Sequence, residues 1–92
     1  MISDQALDTI EELIARCDPG PWTASIEGRD HDSGEDFIQT GQGRERGEDI
    51  YVTRDSGRAP ADYLDLIALL RTLAPDLIAE VRRCRDVTRD AR

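Results

Sequence analysis

Apolar positions along the chain fall into two helical stripes, separated by a polar, glycine-rich middle that holds only short alternating runs. Ala6, Leu7, Ile10, Leu13, Ile14 and Cys17 recur every three or four residues, while Asp8, Glu11, Glu12 and Arg16 take the other side. With Ser3 or Asp4 available as a cap, this spacing predicts a helix over 4–17. Its apolar stripe includes Cys17, which reads as a small buried residue. Pro19 ends the helix, because it lacks an N–H and pushes Asp18 out of the α region. Asp18-Pro19-Gly20-Pro21-Trp22 is then a rigid corner that swings the single tryptophan back under the helix.

Three short runs follow, at 22–26, 36–40 and 49–53, and they predict a small antiparallel sheet of about three strands. In the C-terminal third, Pro60 suits a first helical turn. Tyr63, Leu66, Ile67, Leu70 and Leu73 form one face, widened by Leu64 and Leu69, and this face is expected to meet the core. Ala74-Pro75 predicts a break, followed by a helix carrying Leu77, Ile78, Val81 and Cys84. Arg82, Arg83, Arg85 and Arg89 crowd its last turns, where positive charge complements the helix dipole; the final residues, 90–92, are expected to fray. The expected fold is α+β in a single domain, 1–92: helix 4–17, a strand-rich middle 22–54, and helices 60–73 and 75–88. Trp22 is expected to be largely buried against all three helices.

Composition sharpens this picture. A chain of 92 residues with only 4% aromatics builds a small aliphatic core, which favours an oligomer that completes its core across an interface. Twenty acidic residues against twelve arginines and no lysine give a net charge of −8. Such a surface repels phosphate backbones, so general nucleic-acid binding is disfavoured. Cys17 and Cys84 share no metal spacing, and no apolar run is long enough to span a bilayer; both point to a cytoplasmic protein with reduced thiols.

Little of the chain has the marks of chemistry. Asp30, Asp32 and Gly34 resemble the opening of a calcium loop, but Gly41 stands where the closing Glu belongs. His31 has no second His or Cys close in sequence with which to hold zinc, so no metal or cofactor is expected. Gly41 to Gly47 fits neither the dinucleotide fingerprint nor the P-loop. Four arginines stand out: Arg44 and Arg46 in this loop, Arg54 and Arg58 in the next. Guanidinium groups on glycine-flanked backbone can grip a phosphate-bearing ligand, with Ser56 beside them and Tyr51 or Trp22 available to stack a base. The two loops leave opposite ends of the predicted hairpin, so they converge only by folding over or across a subunit boundary.

The helix ending in Pro19-Gly20-Pro21-Trp22, a variable polar middle, and a Pro-led helix ending in Glu80-Val81-Arg82-Arg83-Cys84-Arg85 together resemble small phage and prophage accessory proteins. These include the proteins grouped as Ead-like and related actinobacterial phage proteins. The likeness covers helix one through Trp22 and then Ala61 to Arg85. That family commonly has Ala-Thr at Cys17-Asp18 and Leu at Cys84, the latter implying a core position. The resemblance implies an accessory or counter-defence role inside a bacterial host, and no chemistry.

No nucleophile, metal or acid/base pair is held in a recognisable arrangement, so an enzyme is not expected. Two kinds of binding protein fit. One sequesters a phosphate-bearing nucleotide signal in the arginine loops of a homo-oligomer. The alternative is an acidic inhibitor or adaptor that acts on a host protein. Charge placement separates them: arginines gathered in a concave site favour the ligand, and a continuous acidic face favours the protein partner.

Overall fold

The computed structural model describes the backbone of residues 1–90 and the side chains through Val87. The expected fraying of Ala91 and Arg92, and the side chain of Arg89, lie outside the described residues. The architecture is α+β, organised on one long helix. The order is α1 (Asp4–Arg16), β1 (Trp22–Ser25), β2 (Phe37–Thr40), a 3₁₀ turn at Gly43–Glu45, β3 (Thr53–Arg54), β4 (Gly57–Arg58) and α2 (Ala61–Asp90).

α1 starts as its sequence requires. The Ser3 hydroxyl accepts from the Ala6 N–H at 3.0 Å, satisfying one of the donors that a helix start leaves over. The helix stops one residue short of the expected end. Cys17 has extended backbone angles and its N–H bonds back to the Ile14 carbonyl, so it leaves the apolar stripe and its side chain is exposed. Gly20–Pro21 is a cis peptide bond, and it turns the chain into β1.

β1 and β2 pair antiparallel, from Trp22 opposite Thr40 to Ser25 opposite Phe37. The third strand expected at 49–53 is reduced to one bridge, in which Ile38 and Ile50 exchange backbone hydrogen bonds of 2.8 and 2.9 Å. Beyond Ile50 the Val52 carbonyl accepts instead from the Ala59 N–H, so the chain leaves the β1–β2 ladder. It then folds on itself as the β3–β4 hairpin, with Thr53 opposite Arg58. The fold therefore has two two-stranded sheets in place of one three-stranded sheet.

Two further expectations are corrected on α2. It runs unbroken through Pro75, so the C-terminal third is one 30-residue helix and not two. Pro75 shares the lining of an open cleft with Arg71, the residue whose carbonyl loses its i→i−4 partner, and solvent can satisfy that carbonyl there. The helix also faces the other way. Its inward residues are Leu64, Ala68 and Ile78, all under 9% exposed. Leu66, Leu70 and Leu73, expected in the core, are 58%, 51% and 41% exposed. Close approach of the sheet selects the small Ala68, with Ala59 and Ala61 beside it, and the bulkier leucines are turned outward.

Two small cores result, one at each end of α2. Ile26, Ile38, Ala59, Leu64 and Ala68 form the first, under the β1–β2 sheet. Leu7 and Ile78 anchor the second, where α1 crosses the C-terminal half of α2. Cys84, expected in the core, is exposed there. Arg82 spans to Asp8 at 2.9 Å and to Glu11, and Arg85 to Asp4 at 2.7 Å, orienting α1 antiparallel to α2. The radius of gyration is 16.4 Å, against roughly 12 Å for a compact chain of this length.

Candidate functional site

The corner at Trp22 is closed on itself and locked to α2 through Arg71. The Trp22 indole N–H donates to the Asp18 carbonyl at 3.1 Å, and Arg71 donates to the same carbonyl at 2.9 Å. The Arg71 guanidinium lies over the Trp22 ring, 5.4 Å from its centroid, a cation–π contact. Trp22, expected to be largely buried against all three helices, is partly buried, packed against the first core and beneath Arg71 of α2. Beside it Ile14, Cys17, Pro19, Pro21, Arg71 and Pro75 line a wide, open cleft of about 650 Å³.

The four loop arginines are not brought together. Arg46 sits at the Thr40 end of β2 and spends its charge on Asp49, 3.0 Å away. Arg44, in the 3₁₀ turn beside it, is exposed. This loop is fixed by backbone: Gly41 N–H bonds to the Pro21 carbonyl and Gly47 N–H to the Thr40 carbonyl. Arg54 lies at the other end of β2 from that loop, over the Tyr63 ring at 5.4 Å. Arg58 shares a shallow recess of about 140 Å³ with Glu35, Asp36 and Tyr51. Tyr51 is 55% exposed and leans on Phe37, and Ser56 is exposed in the turn of the β3–β4 hairpin.

The acidic turn is built, not loose. The Asp30 carboxylate accepts from the Ile26 N–H at 2.8 Å, and the Asp36 carboxylate from the Glu27 N–H at 2.9 Å. Arg29 grips Asp65 of α2 with two parallel bonds, 2.9 and 3.0 Å, and Asp30 with a third. The Arg29 guanidinium holds Asp65 and Asp30 below the usual carboxylate range; Asp65, then Asp30, raise Arg29 in return. His31 is tucked against Phe37, ring centroids 5.3 Å apart, with Nδ1 bonded to Ser33 and Nε2 buried without a partner. Among the described residues no group of three or more His, Cys, Asp and Glu side chains is placed to hold a metal ion, and no helix is long and apolar enough to cross a membrane.

Carboxylates accumulate where these pieces meet, at the N-terminal end of α2. Residues 27–36 and 53–65 contain eight carboxylates and three arginines, Arg29, Arg54 and Arg58. Among the described residues Glu27, Asp32, Glu35 and Asp55 have no arginine within ion-pair distance. At the α1 end, by contrast, Arg82 and Arg85 are matched with α1 acids. Arg29, Asp65, Arg71 and Thr72 hold the site region together, and sequence reasoning missed them. Their partners lie 36 to 53 residues away, and the only local signal was an arginine and a threonine interrupting a leucine-rich helix. No family model, curated protein or solved structure matches this chain, so the phage-protein resemblance rests on its own residues.

Proposed function

We propose that this chain is a non-catalytic acidic adaptor or inhibitor, which uses the carboxylate-rich end of α2 to engage a basic surface on another protein. One observation carries the reading: the uncompensated carboxylates of the 27–36 turn and the β3–β4 hairpin share one end of the molecule with few arginines among them. Complementary charge of this kind steers encounter and selects partners, giving association rates that fall steeply with salt. Phosphate capture is less well supported. Arg46 is neutralised by Asp49, Arg58 shares its recess with Glu35 and Asp36, and the two arginine loops stand at opposite ends of β2.

The test is capture from a bacterial lysate at low and high salt, using the full chain and a variant with Asp32→Asn, Glu35→Gln and Asp55→Asn. A partner retained at low salt by the natural chain, and lost from the neutralised one, supports the adaptor. A thermal-shift panel of mono-, di- and cyclic nucleotides run alongside decides the rival. A selective shift abolished by Arg44→Ala and Arg54→Ala would overturn the adaptor reading in favour of ligand sequestration.

A further inference from the structure

We propose that the outward face of α2 docks a second copy of this chain, the two α2 helices packing antiparallel with Leu70 of one protomer facing the partner's Leu73. This inference rests on the outward face of α2 and not on the unpaired carboxylates of the 27–36 turn. Tyr63, Leu66, Leu70, Leu73 and Leu77 follow a strict three-four spacing and are 41% to 58% exposed. That repeat is a coiled-coil seam, one that keeps facing a partner helix along its length. It lies nearly opposite the inward residues Leu64, Ala68 and Ile78, and of its five residues Leu77 alone also borders the recess between α1 and α2. With Leu69 and Ile67 alongside, seven large side chains on this face are 38% to 58% exposed, a contiguous apolar patch of the kind that marks an interaction surface. A standard interface takes about 800 Å² from each partner, and these seven side chains packed against their copies would form the centre of one.

Charge selects the second copy and the direction. Asp65 is held by Arg29, and Arg82 and Arg85 by the acids of α1, so the charges left beside the seam are Asp62 in the first turn and Arg83 towards the far end. A parallel pair would set Asp62 beside Asp62 and Arg83 beside Arg83. An antiparallel pair sets each Asp62 beside an Arg83 and opposes the helix dipoles. Symmetry then fixes the register, because the four leucines meet four leucines when Leu66 faces the partner's Leu77 and Leu70 faces the partner's Leu73. In that register Asp62 flanks the seam across from the partner's Arg83. Tyr63 stands opposite the partner's Glu80, to which its phenol can donate. Glu80 and Arg83 are already bonded along one helix, so both join one network with Asp62 and Tyr63 from across the seam.

The experiment is light scattering and sedimentation equilibrium of the full 10.3 kDa chain over a dilution series. The expected mass is twice that of the chain, falling to one chain in Leu70→Glu while the circular dichroism stays helical, since Leu70 contributes to neither protomer core. Asp62→Arg and Arg83→Asp should each raise the dimer dissociation constant several-fold, and the two together should return it towards the natural value. These are exposed surface changes and keep the fold intact. A natural chain that stays monomeric throughout, a dimer indifferent to Leu70→Glu, or a double variant weaker than either single one would each overturn the proposal.

Discussion

Trp22 and Thr72 hold each other by two reciprocal hydrogen bonds. The Trp22 N–H donates to the Thr72 hydroxyl at 2.9 Å, and that hydroxyl donates to the Trp22 carbonyl at 2.9 Å. Fifty residues apart in sequence, they fasten the first residue of β1 to the middle of α2. A mid-helix threonine on an apolar helix thus supplies the donor and acceptor that the exposed edge of β1 needs there.

Thr72→Val keeps the shape of the side chain and removes both bonds, leaving half-buried backbone groups without partners. The expected loss is about 1–3 kcal/mol in urea unfolding. Thr72→Ser, which keeps the hydroxyl, should retain most of the stability. Equal losses in the two variants would mean that packing and not hydrogen bonding matters at this site.

The Arg29 contacts carry a pH signature. Asp65 and Asp30 are held below the usual carboxylate range by the Arg29 guanidinium, Asp30 also by the Ile26 N–H, and both return to about 3.9 in the unfolded chain. With the folded value the lower one, their contribution is complete above the unfolded value and disappears as pH falls through the folded value. The Tm gap between the natural chain and Asp65→Asn should therefore be constant from neutral pH to about 5, shrink below about 4, and close in stronger acid. A gap that grew on acidification would exclude this linkage.

Two glycines of the 41–47 loop should rank clearly. A Cβ on Gly41, whose φ is +72°, would lie 2.4 Å from the Glu45 carbonyl oxygen, backbone that has no room to move. On Gly47 it would meet only side chains, Thr40 Oγ1 at 2.8 Å and the Asp18 carboxylate at 2.9 Å. Gly41→Ala is expected to cost roughly 2–3 kcal/mol and Gly47→Ala about 1, as read by chemical unfolding. The reverse order would contradict the loop geometry.

Ile38 is fully buried and its backbone pairs with Ile50, so Ile38→Ala should destabilise by about 2–5 kcal/mol. Cys17→Ser, at the exposed end of α1, should stay within about 0.5 kcal/mol of the natural chain. A large effect at Cys17 would return that side chain to the core where its periodicity had pointed.

What the sequence determined by itself is whatever rests on neighbours a few residues apart. The Ser3 cap, the period of α1, the turn at Pro19 to Trp22 and the β1 and β2 runs all follow from local propensity and spacing. The tertiary structure alone decided which face of α2 turns inward. Leu64 and Ala68 compete there with Leu66, Leu70 and Leu73, and hydrophobicity ranks the losing face higher. The sheet decided the matter by coming close enough to need a small residue, a steric condition that no stretch of α2 contains. Pro75 is the same lesson in reverse. Its local rule predicts a break, but contacts on both sides, β1 before it and α1 after it, hold one continuous helix across the missing bond.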